Sequence, residues 1–279
     1  MKYLSASIAA LLFLAGAATA HEDDAAMTGR IVVIGATARS SLEIIPQALD
    51  RGYEVVAMAR VPADLSLSHE RLRIVAGDVY DVASLEAVLT GSEVVISMVG
   101  PRLDPLKEVG QIDLFTRGTG NIIAAMKKKG NRRLLVASSI GVETEFPAAK
   151  PDAVKEPGQM WVWNTRYLYK DMREMEDIVR TSGLDWVILR PGFMVEEPMR
   201  NDLKLSVNEN SPKQRILTYA DFGRFVVDQV AGNDHLGQTV GLWTDRLLQF
   251  GQNVDFEKES QMMREKAALE ESRKSAAGK

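Results

Sequence analysis

From Arg30 to about Gly192, two patterns alternate along the chain. Short apolar runs with little polar interruption recur as RIVVIGA (30–36), YEVVAMAR (53–60), LRIVAGDV (72–79), EVVISMVG (93–100), RLLVASSIGV (133–142) and LDWVILRPG (184–192). Stretches with apolar residues at helical spacing lie between most of them, at 40–52, 82–91, 111–130 and 164–183, each closing on glycine. A strand buried on both faces shows no alternation, and parallel strands covered by crossover helices are buried in that way. Because such crossovers are right-handed and place helices on both faces, the pattern predicts an α/β fold with a doubly wound parallel sheet.

Two segments break the rhythm. Residues 141–163 carry three prolines and little periodicity, and they follow the fifth strand, whose carboxyl end borders the crevice of such a sheet. The segment is expected to be a lid over that crevice or a plain disordered insertion. Trp161 and Trp163 favour a piece that packs, if only as a hydrophobic plug. Residues 253–279 form a polar helical pattern with charge pairs four apart, Lys266 with Glu270 and Glu270 with Lys274. An exposed helix is expected there, a homo-oligomer contact being the alternative. The expected division is a signal over 1–20, one folded domain over 29–250 and a charged tail over 251–279.

Composition narrows the partners. The net charge of −4 argues against nucleic acid, which needs concentrated Lys and Arg. The short run Lys127–Lys129 precedes Gly130 and suits a helix C-terminus. There is no cysteine, which excludes disulfides, thiolate zinc sites and a cysteine nucleophile; the three histidines stand at no ligand spacing. The first twenty residues have one early lysine, a short apolar stretch and Ala18-Thr19-Ala20, the form of a secretory signal. The expectation is an exported, periplasmic or secreted protein with no membrane span once the signal is gone, since the apolar stretch falls short of the roughly 20 residues a span needs.

Chemistry is expected at the first strand end. A strand, a tight glycine turn and a helix N-terminus bind a pyrophosphate through free N–H groups and the helix dipole. Gly35 opens that turn, but Ala38 and Ser41 stand where second and third glycines belong, with Thr37, Arg39 and Ser40 completing it. Arg60, closing the second strand, lies where the adenosine ribose would sit; an arginine there suits a 2′-phosphate and hence NADP, with Arg39 as a second cation.

The ordered set VVIGATARSS (32–41), VAGDV (75–79), VISMVG (95–100), LLVASSIGV (134–142), SGLDWVILRPGFM (182–194) and LTYADFGRFVVDQV (217–230) resembles the atypical short-chain dehydrogenase/reductases. The NmrA-like and biliverdin-reductase-B-like NAD(P)H-binding proteins are the nearest in pattern. The resemblance spans Gly29 to about Thr244 and implies a single Rossmann-like domain with a small C-terminal substrate portion. It further implies Asp78 and Val79 beside the adenine, Val99 and Gly100 along the cofactor, and Ser138 and Ser139 at the nicotinamide side. Pro191, Gly192 and Phe193 match the turn that closes over the nicotinamide. The sequence departs from the G-A-T-G-x-x-G form of these relatives after Thr37.

The Tyr and Lys that serve the wider superfamily, one helical turn apart, would fall on Leu168 and Met172, which join Met175 and Val179 in a core-facing stripe. The dyad is absent. Relatives without it pass hydride to a flavin or tetrapyrrole, with solvent supplying the proton. On that reading Ser138, then Ser139, touches substrate; the alternative is that both satisfy backbone groups at the strand end. Two functions stay open: an NADP-preferring oxidoreductase acting with NADPH on a planar small molecule such as a flavin or quinone, and a catalytically silent exported binding module.

Overall fold

The computed structural model describes residues 29–152 and 154–277. The expected signal lies outside the described residues, as do the side chains of Lys266, Glu270 and Lys274.

Among the described residues ten strands form, β1 (Arg30–Ile34), β2 (Glu54–Ala59), β3 (Leu72–Ala76), β4 (Val94–Ser97), β5 (Arg133–Ala137), β6 (Asp185–Pro191), β7 (Phe193–Val195), β8 (Lys204–Val207), β9 (Ile216–Thr218) and β10 (Gln238–Trp243). The helices are α1 (Arg39–Asp50), α2 (Val82–Val88), α3 (Leu114–Lys129), α4 (Pro157–Asn164), α5 (Arg166–Arg180), α6 (Tyr219–Ala231) and α7 (Phe256–Ala277). Eight strands make one sheet in the order β3-β2-β1-β4-β5-β6-β10-β8, while β7 and β9 pair separately. Every pairing in the large sheet is parallel except β10 with β8, so the sheet is Rossmann-like with an antiparallel edge. The expected doubly wound α/β fold is present, and β8 and β10 extend it beyond the six predicted strands.

Strand β1 shows why the apolar runs lacked alternation. Ile31 and Val33 join a cluster with Ile44, Ile45, Phe222 and Val226 of α1 and α6. Val32 and Ile34 point the other way, among Ile122, Met126, Met175 and Val179 of α3 and α5. Burying such a side chain on either face contributes about 1.5–3 kcal/mol, so both parities of each central strand must be apolar. The predicted stripe of α5 holds: Leu168, Met175 and Val179 are buried, and Met172 packs against the same cluster.

Buried carboxylates sit inside this frame, Glu93 among them. Glu93 is buried, yet its carboxylate accepts from the N–H groups of Thr90 and Gly91 and from Asn131 Nδ2, each at 2.9 Å. Burial alone would raise its pKa; the hydrogen bonds from Thr90 and Asn131 outweigh it and hold the group at about 2.

The strand order reverses between β1 and β4. That switch point leaves a crevice at the carboxyl ends of the strands, where ligands of this architecture bind.

Candidate functional site

A cleft of about 1110 Å³ opens at that point, lined by the ends of β1 to β4 and by parts of α4, β7 and α7. Its volume exceeds the ~300–1,000 Å³ usual for small-ligand pockets, which leaves room for an extended ligand.

The first wall is the β1–α1 turn. Gly35 stands at φ +82°, and a Cβ there would come within 2.7 Å of the Met98 carbonyl oxygen, so two requirements demand glycine at once. The Ala38 N–H donates to the Gly35 carbonyl at 3.0 Å, closing the turn without further glycines. Helix α1 starts at Arg39, and no side chain caps it. Its first N–H groups are thus left for another acceptor. Thr37, Ala38, Arg39 and Ser40 all line the cleft. Ser41 does not: it is fully buried, and its hydroxyl donates to the Gly35 carbonyl at 2.9 Å. The serine at the third glycine position therefore braces the turn and has no proton free for a phosphate. Ala38 packs against the α1–α6 core cluster while touching the cleft.

The remaining walls follow the expected order. Arg60, just past β2, is exposed, lines the cleft and makes no ion pair among the described residues. Asp78 and Val79 line it after β3; the Asp78 carboxylate accepts from the Tyr80 N–H at 2.9 Å, and the Val79 carbonyl accepts from Asn121 Nδ2 at 2.8 Å. Val99 and Gly100 continue the wall after β4, and a Cβ on Gly100 would meet nothing within 4 Å. An open lane runs past that glycine. These features suit a dinucleotide: an uncapped helix start for a pyrophosphate, an unpaired arginine at the ribose end, and clear space beside β4.

The far end is aromatic. Helix α4, with Pro157 at its start, arises inside the irregular segment 141–163 and sets Trp161 into the cleft. Trp161, Phe193 and Phe256 form a cluster: Trp161 stacks on Phe256 at 5.2 Å between ring centroids and meets Phe193 edge-on at 5.9 Å. Of the expected turn only Phe193 lines the cleft. Gly192 is spent on packing, its N–H donating to the Leu242 carbonyl at 2.8 Å and a Cβ there falling 2.7 Å from the Arg215 carbonyl oxygen; Pro191 is the last residue of β6.

The two serines stand apart from the cleft lining. Ser138 is buried and its hydroxyl donates to Glu176 at 2.6 Å, in a network where Arg190 and Arg180 also donate to that carboxylate. Burial works to raise the Glu176 pKa, and Arg190 overcomes it, so the group lies below its ordinary value. Ser139 Oγ accepts from the Gly141 N–H at 3.0 Å, capping a short 3₁₀ turn at 140–143. The geometry thus commits the Ser138 hydroxyl to α5, while Ser139 Oγ serves as the acceptor of the next turn. Tyr169 lies behind Trp161, whose indole N–H donates to the phenol oxygen at 2.9 Å, and its buried phenol is pushed above its ordinary pKa by desolvation.

Sequence reasoning missed the cover of the cleft. Gln252 to Phe256 and, on α7, Lys258, Glu259, Met262 and Met263 line it. Glu259 takes both terminal nitrogens of Arg39, one at 3.0 Å. The tail is therefore not a helix solvated all round; Ser260 within it is fully buried. The available signal was a phenylalanine and a Met-Met pair in an otherwise charged stretch. Among the described residues no cluster of His, Asp and Glu is arranged to hold a metal, and no helix is long and apolar enough to cross a membrane.

Known proteins bear on this geometry. A family model for NAD(P)H-binding proteins matches residues 35–233. Cinnamoyl-CoA reductase 1 of Oryza sativa subsp. japonica is 29% identical over 196 residues, covering 64% of this chain and 57% of that protein, so the chain spans less than two thirds of that relative's length. A short-chain dehydrogenase/reductase of Veillonella parvula, solved in complex with NADP, has a TM-score of 0.60 at 18% identity, covering 79% of this chain and 97% of the other. ChuY, an anaerobillin reductase of Escherichia coli O157:H7, has a TM-score of 0.61 at 18% identity over 79% of this chain and 99% of the other. The family match runs from the β1–α1 turn through α6, more than half of the 279 residues, and the chain belongs to the NAD(P)H-binding family.

Proposed function

We propose that the protein is an NADPH-preferring oxidoreductase that reduces a planar, largely apolar acceptor. One observation carries the reading: residues expected from separate strand ends, from Gly35 through Arg60, Asp78 and Gly100 to Phe193, line one continuous cleft. A reduced nicotinamide supplies hydride when bound; the rest falls to the chain. The α1 N-terminus faces a pyrophosphate, and Arg60 meets a 2′-phosphate. Trp161, Phe193 and Phe256 offer an aromatic surface to a flat acceptor. With Ser138, Ser139 and Tyr169 outside the cleft lining, the acceptor takes its proton from solvent. Cinnamoyl-CoA reductase, to which the chain is similar, and anaerobillin reductase, whose fold it shares, are both reductases, which supports the oxidoreductase part of the reading.

The sequence of residues 1–20 supports export of the protein, as a further part of the proposal. A second reading, a silent binding module, draws on the Arg39–Glu259 pair, which fills one cationic position in the cleft. Titration of the purified protein with NADPH and with NADH, followed by nicotinamide fluorescence or calorimetry, separates the two. Micromolar NADPH binding well above NADH is expected, and no binding of either up to millimolar concentration would sink the oxidoreductase reading.

A further inference from the structure

The cover of the cleft is anchored on both lips. On one side Glu259 grips Arg39 with both carboxylate oxygens, and Glu196 lies 3.9 Å from the same guanidinium. On the other, Arg264 lies 3.6 Å from Asp104 in the β4–α3 loop, with its second terminal nitrogen donating to Ser260. Phe256 is held in the aromatic cluster, where it also contacts Phe250 at 5.1 Å. The first turns of α7 thus bridge the phosphate turn and the opposite wall.

Charge makes the bridge conditional. Arg39 is flanked by two carboxylates and by the Tyr219 ring at 6.0 Å, so its surroundings already carry more negative than positive charge. A phosphate arriving at Arg39 would meet like charge on two sides unless Glu259 withdrew. Arg60, by contrast, has no such partner among the described residues. The two cations that the sequence assigns to one phosphate are therefore in different states, one free and one occupied. The attachment is also separable: the two ion pairs involve partly exposed side chains, and Phe256 is the aromatic anchor of α7.

We infer that Glu259 is a cofactor-specificity residue: an internal carboxylate that occupies the phosphate-binding side chain of Arg39, so that a cofactor bearing a 2′-phosphate displaces it and loosens the first turns of α7, whereas one lacking that phosphate does not. This rests on the NADPH reading above and adds the competition that controls it. Glu259 opposes NADPH in the resting protein and narrows the preference that Arg60 and Arg39 would otherwise set.

The test is the affinity of the full chain for NADPH and NADH, as wild type and as Glu259→Gln, an isosteric change that removes the charge. The expected result is a gain of about tenfold for NADPH in Glu259→Gln, with NADH changed less than twofold, and loss of that gain in the double variant Arg39→Ala/Glu259→Gln. Hydrogen exchange over 256–263 gives a second readout: NADPH should raise exchange there in the wild type, and NADH should not. Binding of NADPH by a wild type whose affinity Glu259→Gln leaves unchanged, or equal gains for both cofactors, overturns the inference and leaves the oxidoreductase reading standing. Absence of binding by both proteins overturns the reading, and the inference falls with it.

Discussion

Arg60 and Ser138 show how differently single residues can be read from sequence. Arg60 closes an apolar strand whose carboxyl end borders the crevice; it is exposed, lines the cleft and has no ion-pair partner among the described residues. Arg60→Ala is expected to weaken NADPH about tenfold or more, in line with the ~1.5–3 kcal/mol of a hydrogen bond to a charged group, and to leave NADH nearly unchanged in the same titration. Ser138 also ends a strand, but its hydroxyl is taken by Glu176, 38 residues further on, a contact no local pattern reveals. Ser138→Ala should cost about 1.5–3 kcal/mol in denaturant unfolding, because its partner is a charged carboxylate, and leave NADPH affinity unaltered. A loss of binding without a loss of stability would return Ser138 to the site. Gly35 was legible because a turn leaving an apolar run needs positive φ, whereas the bracing role of Ser41 depends on a carbonyl whose direction only the folded turn sets.

Among elements, the six uninterrupted apolar runs and the helices between them were legible; β10, six residues long but with a polar start and Gly241 inside it, and the shorter strands were not. Six parallel strands and the helices between them follow from uninterrupted apolar runs, since burial on both faces leaves polar residues no place. Strands β7 and β9 have three residues each, β8 has four, and the antiparallel β8 carries exposed Lys204 and Leu205, so none of them gives enough periods for a pattern. Helix α4 was hidden by prolines, although Pro157 in fact starts it, a position where the missing N–H costs nothing. The first turns of α7 lie against the cleft through contacts some 220 residues apart, beyond any reading of local pattern. At this scale the β1–α1 turn is the sensitive joint. Gly35→Ala must adopt φ +82° and push against the Met98 carbonyl, so the variant should lose at least about 1 kcal/mol of stability, seen as a lower Tm, and also lose NADPH binding.

For the whole molecule, two apolar layers on either side of one sheet supply the stability, and the buried Glu93 carboxylate makes part of it depend on pH. Its pKa is held at about 2 in the folded chain, below its ordinary 4.5. A depressed carboxylate stabilises fully above its unfolded pKa, and that contribution is lost as pH falls through the folded value. Thermal unfolding followed from pH 6 down to pH 2 should show Tm falling between about 4.5 and 2. Glu93→Gln should begin less stable at pH 6 and fall less steeply; an unchanged slope would place the acid sensitivity elsewhere.

The cover of the cleft also has a consequence in time. All strands of the main sheet precede Thr244, and the covering segment begins near Gln252. A growing chain therefore presents every strand of the sheet ahead of the segment that closes over it. A sheet that formed before that segment docked would leave the crevice an open trough, which a ligand would enter without competing against Glu259. The moment of loading, during growth or after it, then decides whether the Arg39–Glu259 pair is ever a barrier.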